Sequence, residues 1–313
     1  MGASVRPAPY SVKEAMTMTK KWTHKQLNKL SQVQTIIQDL QEYLPLTLRQ
    51  IHYQMVSRQY YENTQSQYVM LSGLLRDARI AGLISWDVIE DRVRFYHDLS
   101  GWHDCGQFVR AHVKAFLEGY NRDLMQTQNV YLEIWIEKDA LSSFFIKGAR
   151  PYTVPVVVCR GFSSVSFLND FRNRIKSYAQ DRSPIMLYFG DFDPSGLDML
   201  RAMEHTLVDD FGLDTLTFKR IALLESDVDA YRLPHNPSAL KRTDPRARKY
   251  IATYGELAVE LDALPPDVLE QKIHRAILDM VDQTTFNVER KRQQRELNKL
   301  KKIKKTILNN IKL

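Results

Sequence analysis

Glu137, Asp191 and Asp193 are the residues whose type and spacing most plainly suggest chemistry. Glu137 closes an apolar run, Val130-Tyr131-Leu132-Glu133-Ile134-Trp135-Ile136, and the two aspartates come after another, Ile185-Met186-Leu187-Tyr188-Phe189-Gly190. As strands of a parallel sheet, these runs would place their carboxyl ends side by side, where such sheets gather their reacting groups. Three acids would then share one small volume. Clustered carboxylates repel unless a cation or protons intervene, and an all-oxygen ligand set suits magnesium. No His or Cys joins the set, which argues against zinc. The i, i+2 spacing past a strand end lets both aspartates turn toward one ion, and Pro194 and Gly196 shape a tight turn before the next helix. Taken alone, an Asp-x-Asp is more commonly a helix cap and surface turn.

Those acids need a scaffold, and the hydrophobic periods supply one. Leu27, Leu30, Val33, Ile36, Ile37 and Leu40 recur at helical spacing within 23–43. Pro45 breaks that helix, and Thr47 is placed to cap a second over Leu48 to Arg58. A third runs from Ser66 to Ala81, with Leu71, Leu74, Leu75 and Ala78 on its apolar side, until Gly82. The next stretch, 83–96, reads as a short β-hairpin. Three short helices and a hairpin make a winged helix-turn-helix, a common DNA-docking design that also occurs as a plain packing module. From Asn129 the texture alternates between strands (130–137, 154–160, 184–191, 215–223) and helices (140–149, 163–178, and one from Ser195), which implies βαβ units and a mainly parallel sheet. A Pro-rich connection begins at about Asp227, and the chain turns helical again from Pro266. The fold class is therefore α/β plus α: a lead-in over 1–22, a helical unit over 23–125, a Rossmann-like sheet unit over 126–265 and a helical segment over 266–313.

With 313 residues, 44% hydrophobic and 26% charged, the chain has the composition of a globular protein of two cores. No run of 18 apolar residues occurs and the first residues lack a secretory pattern, so a cytoplasmic protein without a membrane partner is expected. Cys105 and Cys159 have no metal-ligand spacing and read as reduced thiols. The net charge of +7 is uneven. Residues 290–313 hold ten Lys and Arg against Glu296 alone, so that segment is +9 and the rest of the chain −2. Such a segment suits a polyphosphate partner, because neutralised phosphates release condensed counterions; a solvated helix end has the same composition.

The order of these motifs resembles one family closely. Ile136-Glu137-Lys138-Asp139-Ala140, Cys159-Arg160-Gly161 and Asp191-Phe192-Asp193-Pro194-Ser195-Gly196 are similar to the Toprim domain of the topoisomerase VI A subunit and of the related meiotic double-strand-break protein. The family pattern has Gly-Lys-Gly where Cys159-Arg160-Gly161 stands, so the cationic role passes to Arg160. Upstream, Arg49-Gln50-Ile51-His52-Tyr53 resembles the family's Arg-x-x-x-Tyr element within a winged helix. The resemblance extends from about Leu46 to the acidic segment 259–265, and the length best matches short freestanding A-like proteins of mobile elements.

The resemblance implies a homodimer that cuts double-stranded DNA with magnesium on Glu137, Asp191 and Asp193. Tyr53 would attack phosphorus and keep the 5′ end as a phosphotyrosine, while the metal comes from the partner protomer. Tyrosine is a weak nucleophile with a pKa near 10, and Arg49, at i−4, faces the same side of a helix to assist it. By composition alone Tyr53 is one of 15 tyrosines and more commonly a packing residue; His52 beside it reads as packing too. No nucleotide-binding loop is present, so ATP-driven strand passage would require a separate B-type ATPase subunit. Arg76, Arg79, Arg92 and Arg94 on the third helix and hairpin, and Lys241, Arg242, Arg246, Arg248 and Lys249 beyond the sheet, are candidate phosphate contacts, with solvated surface charge as the alternative. Arg160 joins them, and Lys138 is either a contact to the scissile phosphate or a structural salt bridge. A Toprim nuclease that activates water, leaving Tyr53 as packing, is the rival reading.

Overall fold

The computed structural model describes residues 22–90, 101–115, 119–179, 181–236, 240 and 245–310. Among them, eleven α-helices accompany a four-stranded, all-parallel sheet. The first helices are α1 (His24–Asp39), α2 (Leu48–Ser57) and α3 (Gln65–Ile80). Each starts where a hydroxyl satisfies its free amides: Thr23 and Thr47 form capping boxes with Gln26 and Gln50, and Thr64 accepts from Gln67 N. Their apolar faces meet in one core that includes Leu30, Val33, Ile36, Leu46, Ile51, Met55, Leu71 and Leu83.

Residues 83–90 do not form the first arm of a hairpin. They make a short 3-10 turn, Trp86–Val88, capped by Ser85, and Ile89 forms an isolated parallel bridge with Leu46. The reason is local: the Ser85 hydroxyl accepts from Asp87 N and turns the chain where a first strand would have run straight. The second arm of that expected hairpin, with Arg92 and Arg94, lies outside the described residues.

Helix α4 (Cys105–Ala115) precedes the sheet, whose strands are β1 (Val130–Ile136), β2 (Val156–Val158), β3 (Ser183–Phe189) and β4 (Thr217–Ala222), in the order β2-β1-β3-β4. Strand β1 is apolar on both faces apart from Glu133, because both faces are covered. Leu132, Ile134 and Ile136 pack with Leu187, Phe189 and Phe145 of α5 (Ser142–Ala149) and with Ile273 and Ile277 of α10 (Pro266–Leu278). Tyr131, Trp135, Met186 and Tyr188 pack against Leu168 and Phe171 of α6 (Val165–Arg174) and Met203 of α7 (Pro194–His205). Each fully buried large side chain of this kind contributes on the order of 2 kcal/mol.

Two more helices, α8 (Glu225–Ala230) and α9 (Pro245–Tyr254), occupy the stretch read as a Pro-rich connection. The chain closes with α10 and the basic α11 (Gln283–Asn310). Helix α11 is tied to the body where Arg122 meets Glu289 at 2.6 Å and Glu296 at 2.9 Å. No helix among the described residues is long and apolar enough to cross a membrane.

Candidate functional site

The sheet order creates the site. From β1 the chain crosses to β2 on one side and then to β3 on the other, so the neighbours β1 and β3 flank a reversal of strand order. Open α/β sheets bind ligands in the crevice at this point. Ile136 is in register with Phe189, and Glu137 therefore emerges beside Gly190 and Asp191. Asp191 N donates to Glu137 Oε2 at 2.9 Å. Burial raises the Glu137 carboxyl above its ordinary pKa, and the nearby Asp193 charge adds to the rise. Asp191 is raised as well, by burial first and by Glu137 after it, although Lys138 works in the other direction. Both shifts come chiefly from burial, with the Glu137 carboxylate packed against the Asp191 backbone.

Glycines permit that approach. A Cβ at Gly196 would lie 2.3 Å from the Asp191 carbonyl oxygen and 3.2 Å from Glu137 Oε2, and one at Gly190 would lie 2.8 Å from Glu137 Oε2. Below the loop, the guanidinium of Arg220 in β4 donates to the carbonyls of Gly190, Asp191, Gly196 and Leu223 and so fixes the Asp-x-Asp turn.

Asp193 has a second duty, since its Oδ1 caps α7 by accepting from Gly196 N at 2.7 Å. Asp191 Oδ1 accepts from Leu261 N at 2.8 Å and pairs with Lys138 Nζ at 3.1 Å. As arranged, no group of three acids, His or Cys among the described residues is drawn together to chelate an ion. The donor types nevertheless fit a hard divalent cation, and Asp262 Oδ1 is buried beside them with no hydrogen-bond partner, an oxygen that additional positive charge would satisfy. Glu137, Asp191 and Asp193 are the residues that would hold it.

The structure adds two acids that sequence reasoning passed over. An antiparallel bridge between Phe192 and Val259 brings the segment 259–262 against the Asp-x-Asp turn. Lys138 Nζ then lies 2.7 Å from Glu260 Oε2 and 2.9 Å from Asp262 Oδ2, besides its contact with Asp191. Of the two roles considered for Lys138, this geometry is the salt bridge. Burial alone would lower its pKa, but the three carboxylates outweigh that and hold the ammonium firmly charged. Glu260 also pairs with Arg49. The only sequence signal was the acidic alternation Glu260-Leu261-Asp262 near the end of the sheet region.

Helix α2 lies between the two cores. Ile51 and Met55 face the helical one, whereas Tyr53 belongs to the sheet core and is only 4% exposed. Burial, then the Glu260 charge, pushes its phenol well above the usual tyrosine range, against the opposing pull of Lys138 and Arg49. His52 has both ring nitrogens engaged, by Tyr61 Oη at 3.0 Å and Asn63 Oδ1 at 3.1 Å, so it packs beside Tyr53.

Between the helical unit and the sheet edge runs a cleft of about 700 Å³. Arg49, Arg76 and Arg79 line one wall, and Glu137, Lys138, Arg160 and Asp262 the other. No family model matches the chain, and no curated protein is significantly similar to it. The chemistry of the cleft is therefore that of its own residues. Arg76 is largely exposed and paired with Asp77. Arg79 stacks 4.5 Å over the Trp86 ring and donates to the Trp86 and Ile89 carbonyls. Arg160, 72% exposed, reaches Asp139 at 2.7 Å from a left-handed backbone with φ of 50°. Arg246 is elsewhere, near Asp198 and the Phe162 ring, and does not line the cleft. Arg248 and Lys249 are exposed on α9, and Lys241 and Arg242 lie outside the described residues.

Proposed function

We propose that this chain cleaves double-stranded DNA as a homodimer, in the manner of the topoisomerase VI A subunit. In this reading the helical unit over 23–125 is the winged-helix domain, 126–265 the Toprim domain and 266–313 a basic DNA-facing segment. The observation that carries it is the shared cleft. Arg49 of α2 lines it together with Glu137, just past the end of β1, and cations line both walls, while Tyr53, Asp191 and Asp193 are outside its lining.

A divalent cation bound by Glu137, Asp191 and Asp193 would supply neutralising charge to the phosphodiester oxygens. Arg76, Arg79 and Arg160 hold the backbone in register along the walls. The Tyr53 phenolic oxygen bonds the phosphorus at the 5′ side and gives up its proton, and the 3′ oxygen leaves and takes up a proton. With Tyr53 buried in this arrangement, attack requires α2 to withdraw from the turn at 260–264. Strand passage would call on a separate ATPase subunit.

A second reading, hydrolysis by activated water, is favoured by the burial of Tyr53 and its raised phenol pKa. Incubation with a magnesium salt and duplex DNA, stopped in denaturant and run on a protein gel, separates the two. A protein–DNA adduct that Tyr53→Phe abolishes supports the first. Free 5′ phosphates produced equally by Tyr53→Phe support the second. Absence of cutting in wild type, with DNA affinity unaffected by Asp191→Ala, rejects both in favour of a DNA-binding protein without catalysis.

A further inference from the structure

Glu260 is held as if it were a ligand. Its Oε2 accepts from Lys138 Nζ at 2.7 Å and from Arg49 Nη1, and its Oε1 accepts from Asn236 Nδ2 at 2.7 Å. The three donors come from three separate stretches of chain: helix α2, the residue pair after β1, and the connection after α8. Two cations and an amide converging on one planar oxyanion are the form of a carboxylate or phosphate receptor. Burial by itself would raise the Glu260 pKa, yet Lys138 and Arg49 outweigh it and hold it at about 2. The receptor also opens in a telling direction. Arg49 and Lys138 line the cleft while Glu260 does not, and the Arg49 side chain is 42% exposed against 12% for Glu260. An anion in the cleft therefore reaches Arg49 first, with Lys138, 17% exposed, deeper behind it. The cleft continues past Arg49 to Arg76, Arg79 and Arg160, so a polyanion lying in it would pass the receptor.

We propose that Arg49, Lys138 and Asn236 form a receptor for a phosphodiester oxyanion, that Glu260 fills it in the free protein, and that a backbone phosphate takes the place of this carboxylate when nucleic acid enters the cleft. The proposal rests on the DNA reading for its ligand, but the receptor itself binds phosphate oxyanions of any source. The exchange is non-covalent, one anion for another on the same donors. It explains why Arg49 and Lys138, which line the cleft, share Glu260 as a countercharge: a ligand must compete with that internal carboxylate, and Lys138 keeps Asp191 and Asp262 when Glu260 leaves.

The test measures binding in the presence of EDTA, with a short labelled duplex and, separately, with inorganic pyrophosphate by calorimetry. Glu260→Gln is expected to raise affinity for both probes roughly tenfold, and to steepen the dependence of log K on log salt for the duplex by about one phosphate contact. Arg49→Gln is expected to cost less than about threefold in the wild-type background and to erase the gain in the Glu260→Gln background, the coupling that a double-mutant cycle reads. Circular dichroism checks that each variant folds. Should Glu260→Gln unfold, Glu260→Asp keeps the charge, shortens the reach, and is expected to give a smaller gain. No gain for either probe in the folded variant, or a gain that survives Arg49→Gln, overturns the receptor. A gain for pyrophosphate while no form of the chain binds duplex keeps the receptor and removes the DNA reading.

Discussion

Glu133, in the middle of β1, and Glu137, just past its end, show what separates a fully partnered carboxylate from one with few donors. Glu133 is fully buried and saturated: Tyr131 Oη donates to it at 2.7 Å, Trp135 Nε1 at 3.0 Å, and Arg174 with Nε at 2.8 Å and Nη2 at 2.9 Å. Every lone pair that matters has a donor, and a countercharge is in place. Glu137 has the backbone amide of Asp191 on one oxygen, and it feels the Asp193 charge as well as those of Lys138 and Arg220 without an ion pair to either cation. The first is an anion made comfortable by the fold. The second is an anion that the fold keeps wanting a cation. Glu260 is intermediate, paired with two cations yet next to an open cleft.

Four substitutions would break or sharpen this contrast, taken in order of their effect on folding. Glu133→Ala strands the Arg174 guanidinium and two buried donors, and should cost about 3–5 kcal/mol in denaturant unfolding. Any cleavage by the folded fraction, as proposed above, should be unaffected. A small cost would mean that saturation at Glu133 contributes little.

Glu260→Gln should cost about 2 kcal/mol near neutral pH, after allowance for the solvent around Arg49. The sign comes from a folded pKa of about 2 lying below the usual 4.5. Stability from Glu260 is complete above pH 4.5 and is lost as pH falls toward 2. The gap between wild type and Glu260→Gln in unfolding free energy should therefore close over that window.

Glu137→Gln should leave stability near neutral pH unchanged or raise it. Its carboxyl is raised in the folded state, so what it contributes is present below its ordinary pKa and is lost as pH rises past the raised one. If the proposed cleavage uses Glu137 as a metal ligand, activity in a gel assay should fall roughly a thousandfold. A protein that becomes less stable without losing activity would place Glu137 with Glu133.

Asp193→Asn should change stability by less than about 0.5 kcal/mol, because Asn caps α7 as well as Asp does. Cleavage should still drop sharply, and a metal titration tracked by calorimetry should show weaker binding. Unaltered metal affinity would reduce Asp193 to its cap.

Much of the scaffold was legible because it depends on local rules. Thr47 before Leu48, with Gln50 three residues on, marks the start of the tyrosine helix. The apolar runs at 130–136 and 184–189 predict buried strands, and their equivalent ends are indeed neighbours. What was not legible depends on distant approach. Glu260 and Asp262 join the acids only through the Phe192–Val259 bridge, which no local pattern announces. Arg220 reads as an ordinary polar residue of a strand, yet it turns under the Asp-x-Asp loop to collect its carbonyls. Helix α9 was hidden by its own first residue: Pro245 suggests a break, but proline at the first helical position starts one. The burial of Tyr53 was hidden because α2 is covered on nearly every side, Gln50 through Met55, between two cores that composition alone does not orient.

The left-handed backbone at Arg160 sets survival against work. A residue with a Cβ pays about 1 kcal/mol to sit there, a cost that glycine avoids. A mutant library sorted only for heat resistance would thus tend to replace Arg160 with glycine, gaining a few degrees and discarding the guanidinium that the second strand's loop presents to the cleft.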